Sequence, residues 1–145
     1  MKEPVVVDST CLIGLERISS LDILPALFSP ILAPPEVEHE FGATLPWLQV
    51  EAPVNEDLVN ALKMLVDYGE AEAIALASER KCKIVLDDRQ ARVVAKQLGF
   101  TMIGTIGCLL KAERAGIIAA TKPLIEKLED EGFYLSEALK EDVFV

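Results

Sequence analysis

The stretch CKIVLDDRQARVVAKQLG, residues 82–99, decides how the rest of the chain is read. Its first third is a short apolar run that ends on two aspartates. The remainder, RQARVVAKQL (89–98), has helical spacing and is stopped by Gly99. A short apolar run with polar bounds reads as a buried strand, and a strand feeding a helix is half of a parallel βαβ unit. The pairing recurs in both directions. Upstream, PVVVD (4–8) feeds STCLIGLERI (9–18), and PILAPP (30–35) feeds PEVEHEF (35–41), with Pro35 suited to a first helical turn. Downstream, FTMIG (100–104) feeds TIGCLLKAERAG (105–116). Further helices are expected at SLDILPALF (20–28), disturbed by Pro25, at EDLVNALKMLVDY (56–68), ended by Gly69, and at EAEAIALASER (70–80). TKPLIEKLEDEG (121–132) completes the set, with a last short helix in the tail after it. GATLPWLQVEAPVN (42–55) reads as irregular, anchored by Trp47. The alternation predicts one domain over residues 1–145, a three-layer α/β/α fold with a mainly parallel central sheet.

Composition narrows the function. The chain of 145 residues is 51% hydrophobic, with a mean hydropathy of +0.32. A chain of this length buries roughly 70% of its unfolded surface, so it folds without disulfides or structural metal. Its apolar excess predicts a surface covered by a partner or a second copy. The formal net charge of −10 argues against a broad electrostatic grip on nucleic acid. It suits a basic protein partner, or an acidic pocket neutralised by metal. Cys11, Cys82 and Cys108 form no CxxC pair, and His39 is the single histidine, so the spacing does not suit a Cys/His zinc site and the cysteines read as small apolar residues. The first apolar run is too short for a signal peptide, and no stretch has the length of a membrane span. The expected compartment is the cytoplasm.

Several carboxylates stand where a carboxylate is costly. Ligand sites in parallel α/β sheets lie outside the carboxyl ends of the strands, where Asp8 ends one apolar run and Asp87 and Asp88 another. Within 35–41, Glu40 lies about 60° from Val37 on the helical wheel, at the border of the inward face. Within 70–80, Glu72 shares the side of Ala75 and Leu76 and needs a partner there. Each acid also has an ordinary explanation, as a helix cap or part of a solvated face. Taken together, acids from four separate elements would repel one another unless a hard cation such as Mg²⁺ or Mn²⁺ sat among them. Arg89, Arg92 and Lys96 fall at i, i+3 and i+7, one basic stripe after the double aspartate.

These residues resemble the PIN-domain ribonucleases. VVVDST resembles their opening strand with its first acid, PPEVEHEF their proline–valine segment with a helical glutamate, GEAEAIALA their acid-and-alanine helix, and IVLDDRQAR their strand ending in an acid and arginine. The order GEAEAIALA, DDRQAR, LG, GTIGCLLKAERAG resembles the branch described as predicted nucleic-acid-binding PIN-like proteins. By that resemblance Asp8, Glu40, Glu72 and Asp88 are the catalytic and metal-holding quartet, with Glu70 able to replace Glu72 and Asp87 able to replace Asp88. The resemblance implies metal-dependent cleavage of RNA with Mg²⁺ or Mn²⁺ and a 5′-phosphate product. The basic stripe, with Arg89 and Arg92, then reads as a grip on the substrate backbone, or else as an ordinary solvated helix face. The resemblance also implies a toxin half of a toxin–antitoxin pair, a small basic antitoxin as partner, and a homodimer. The competing expectation is a PIN-like scaffold without catalysis that works through a protein partner. A receiver-like phosphoacceptor ranks lower, because no lysine follows a late strand.

Overall fold

The computed structural model describes residues 2–133. Its strands are β1 (Glu3–Val7), β2 (Phe28–Ala33), β3 (Leu48–Val50), β4 (Lys83–Val85) and β5 (Met102–Ile103). Its helices are α1 (Ser9–Arg17), α2 (Ile23–Leu27), α3 (Pro35–Phe41), α4 (Glu56–Leu62), α5 (Tyr68–Arg80), α6 (Arg89–Gln97), α7 (Thr105–Arg114) and α8 (Lys122–Asp130). All strand pairs are parallel, in the order β3-β2-β1-β4-β5. The expected three-layer α/β/α architecture is therefore what the chain forms.

Side-chain alternation along the sheet divides the core into two halves. Val5 and Val7 face one way, with Val85, and pack on leucines and cysteines of α1, α2 and α7. Val6, Leu32, Ile84 and Leu86 face the other way, onto α5 and α6. The alanines of α5, at 71, 73, 75 and 77, are fully buried and let that helix approach the sheet closely. Cys11 and Cys108 are buried in the first half of the core, as small apolar residues should be.

The structure departs from expectation in the middle of the chain. The segment 42–55 contains a strand: β3 runs beside β2, with Ile31 opposite Leu48 and Ala33 opposite Val50. A strand of three residues is too short to show a period, which is why the sequence hid it. The helix expected over 56–68 closes at Leu62, and Gly69 does not end it. Asp67 starts α5 instead. Its side chain accepts the Glu70 N–H at 2.8 Å, while the Asp67 N–H donates to Glu70 Oε1 at 3.3 Å. That reciprocal capping overrides the usual role of glycine as a stop signal. Gly69 answers a different need: a Cβ there would lie 2.2 Å from Glu40 Oε1, so its absence lets α3 and α5 meet. Gly99, by contrast, terminates α6 with φ +85° as expected. The predicted tail helix lies outside the described residues. Among those residues, no helix is long and apolar enough to cross a membrane.

Candidate functional site

The chain leaves β1 to one side, through β2 and β3, and returns on the other through β4 and β5. The carboxyl ends of β1 and β4 are thus neighbours whose connections diverge, which opens a crevice between them. Register places Val7 beside Val85. Asp8 and the Leu86–Asp87–Asp88 segment consequently emerge at the same rim.

Asp8 forms the floor of this crevice and is only 2% exposed. Its Oδ1 accepts the Cys11 N–H at 3.0 Å and caps α1. Its Oδ2 is buried and has no hydrogen-bond partner. Burial first, then the negative charge of Asp87, raises the Asp8 pKa well above the usual carboxylate range; Glu70 adds to the rise. The Asp87 backbone N–H eases that charge without closing a hydrogen bond to Oδ2.

Asp87 is held from the other side. Its Oδ1 accepts the Thr105 N–H at 2.8 Å and its Oδ2 accepts the Thr105 hydroxyl, so it caps α7 across the chain. Gly104 brings no capping side chain of its own. Arg92 completes the joint by donating from Nη1 to the Leu86 carbonyl at 2.7 Å. A Cβ on Gly104 would sit 3.0 Å from Asp87 Oδ1 and 3.3 Å from Arg92 Nη1, so the glycine admits both groups. Asp88 is exposed and caps its own helix, accepting the Ala91 N–H at 2.9 Å. Glu70 is half-buried. Burial, then the charges of Asp67 and Asp88, push its pKa up to about 7.

The acids expected to act together are thus partly gathered. Asp8 feels the charges of Asp87 and Glu70, and Glu70 feels those of Asp67 and Asp88. Glu40 is exposed at the rim, takes a 3.3 Å hydrogen bond from the Ser9 hydroxyl, and lies against Gly69. Partial desolvation, then Asp67, raises its pKa. Glu72 goes elsewhere. It is buried, and burial raises its pKa, but its carboxylate reaches the Glu36 backbone N–H and the Tyr68 phenol, with Lys63 nearby. Helix α3 opens on Pro34 with no side-chain cap of its own, and Glu72 serves that end from α5. Of the basic stripe, Arg89 and Lys96 are exposed, while Arg92 is tied to Leu86.

Sequence reasoning missed Ser9, Gly69 and Thr105. The hydroxyl residues directly after PVVVD and FTMIG, at 9 and 105, were the available signal. Glu72→Ala is expected to cost about 1 kcal/mol, the worth of a helix cap. It is also expected to leave any metal-induced rise in Tm intact. Thermal unfolding with and without Mn²⁺ checks both outcomes.

The donor set is all carboxylate oxygen, with one buried oxygen that has no partner. That chemistry fits a hard divalent cation. Among the described residues, no three acidic, histidine or cysteine groups converge into a ready-made cage. Mg²⁺ does not need one, since it is commonly held by one or two carboxylates, with water and substrate phosphate filling the remaining positions. No curated protein matches the chain. A family model for the PIN domain matches residues 4–145. With that match across nearly its whole length, and with this parallel sheet and acidic crevice, the chain belongs to the PIN-domain family.

Proposed function

We propose that this protein is a divalent-metal-dependent nuclease that hydrolyses RNA. PIN domains are in general nucleases, and the family is typically associated with divalent metal ions. The observation that carries the reading is Asp8 Oδ2, a buried carboxylate oxygen without a hydrogen-bond partner, facing a second carboxylate at the crossover of the sheet. An unpaired buried charge is costly; a proton relieves it, and a bound cation would do so without one.

Asp8 and Asp87 would hold the ion, with Asp88 or Glu70 as the next acid and Glu40 at the rim. When bound, Mg²⁺ or Mn²⁺ supplies Lewis acidity and neutralises charge on phosphate oxygens. The chain does the rest. Thr105 fixes Asp87 in one orientation, and the Cys11 N–H fixes Asp8. Arg89, exposed at the first position of α6, would meet a substrate phosphate. Ser9 keeps Glu40 against the crevice mouth. The acidic surface and the apolar composition support a small basic antitoxin and a homodimer as partners.

The test is thermal unfolding in EDTA, Mg²⁺ and Mn²⁺. An ion that binds only the folded chain, at about 100 times its Kd, adds roughly 2.7 kcal/mol. Wild type should gain this and Asp8→Asn should not. A scaffold without catalysis is favoured by Asp88, Asp67 and Glu70 already serving as helix caps. That reading predicts no response to either ion in either protein, and the nuclease reading would then fall.

A further inference from the structure

The crevice mouth carries one feature that the acids do not explain. Tyr68, the first residue of α5, is 45% exposed. It is the only aromatic among the large exposed apolar residues of the described chain. The other described aromatics are buried or packed against the core. An aromatic ring left in water by a free side chain would carry little meaning. This one has two neighbours. Its phenol meets the carboxylate of Glu72, which is itself buried and turned to the start of α3. The Lys63 ammonium stands over the ring at 4.4 Å from its centroid. Met64, 87% exposed, and Leu65 are exposed apolar residues of the segment that leads into α5.

The position matters as much as the ring. The next residue, Gly69, touches Glu40, and Glu70 one step further senses Asp8 and Asp88. The Tyr68 backbone therefore borders the acidic rim, while its ring lies with Glu72 and Lys63 toward the start of α3. Fixed aromatic rings beside a cation are how proteins hold unpaired bases: the ring takes the base face and the cation takes the adjoining phosphate. Bases in a duplex have no free face to offer. At the ring itself an uncharged base meets no repulsion from the neighbouring acids, so stacking is the contact this side chain can offer.

We propose that Tyr68 and Lys63 form a nucleobase-stacking subsite that takes one unpaired base of a single-stranded RNA and directs its backbone into the acidic crevice. The base stacks on the ring face opposite Lys63, and the ammonium meets the neighbouring phosphate. The proposal rests on the nuclease reading for its choice of RNA, but its test is independent of cleavage and of metal affinity.

The measurement is fluorescence anisotropy of labelled single-stranded RNA octamers in an Asp8→Asn background, with Mg²⁺ present to screen the acidic rim. Tyr68→Phe keeps the ring and should bind within about twofold of its parent. Tyr68→Ala should bind about 5- to 100-fold more weakly, the range seen when a stacking ring is removed. A series of octamers with one abasic nucleotide moved along the chain gives a readout that misfolding cannot imitate. The Asp8→Asn parent should weaken at one position of the series, and that position effect should vanish in Tyr68→Ala. Equal binding by Tyr68→Ala, a flat abasic series, or no binding of any octamer overturns the proposal, and the ring is then left to a protein partner. A failed metal titration with a positive abasic series removes the hydrolase reading and keeps the subsite. The converse keeps the reading and removes the subsite.

Discussion

Asp8→Asn is expected to give a more stable protein that has lost its response to metal. Asparagine matches aspartate in shape, so its Oδ1 can keep the Cys11 N–H. What disappears is a buried negative charge beside Asp87. Removing such an active-site strain commonly returns about 1–2 kcal/mol. For a chain of this size that is roughly 2–8 °C in Tm. The gain should be seen in EDTA at neutral pH and should shrink on acidification, for a reason of sign. Asp8 and Glu70 both have folded pKa values raised above their unfolded ones, Glu70 to about 7. The folded chain therefore binds their protons more tightly than the unfolded chain. Their favourable contribution is fully present below the unfolded values near 4, and it is lost as pH rises through the folded values. Metal-free wild type should accordingly melt at a lower temperature at about pH 8 than at about pH 5.5. Asp8→Asn should flatten that slope, and saturating Mn²⁺ should flatten it in wild type. A wild-type Tm in EDTA that rises across this interval would contradict the assignment.

Leu86→Ala should produce the largest loss of stability among changes near the site. Leu86 is fully buried in the half of the core shared with α5 and α6. Truncating a leucine in such a place costs about 2–5 kcal/mol, through lost burial and the cavity left behind. Its main chain is also the hinge of the crevice: the N–H donates to the Ile103 carbonyl at 3.0 Å and the carbonyl accepts Arg92 at 2.7 Å. Those bonds survive the truncation, so the fold should persist, but Asp87 and Asp88 would sit on a looser base. Urea unfolding should show the midpoint moving with little change in slope. Metal affinity should fall with it. Leu98→Ala, at an exposed position just after α6, serves as the control and should stay within about 0.5 kcal/mol.

The strand-to-helix units were legible because each carries two signals at once, an apolar run and a capping acid or proline next to it. PVVVD, PEVEHEF and the 82–99 stretch fell where their residues put them. β3 was hidden because LQV is too short to alternate, and only its pairing with β2 makes it a strand. Gly69 misled because a glycine after a helical run has two meanings. The one that applied here depends on Glu40, nearly thirty residues away.

The candidate site shows the same limit. Asp8 was legible from its place after three valines. The choice between Glu70 and Glu72 was not, because two residues along a helix change the direction of a side chain by about 160°. Periodicity shows that Glu72 is buried. It does not show that the partner is the start of α3 and not the other acids. Likewise, Asp87 and Asp88 are neighbours in sequence with opposite duties. One serves α7 and the other serves α6.

The place of β1 at the middle of the sheet bears on how the protein is made. Val5–Val7 are synthesised well before Lys83–Val85, and one side of that strand waits for those residues to arrive before it is paired. Until then the nascent chain presents an open valine-rich edge, the kind of template that invites pairing with the wrong strand. Pairings this far apart in sequence are slow to close. The crevice, which needs both strands, can form only once the second half of the chain has been synthesised. A chain truncated before residue 83 would therefore expose the edge and lack the site.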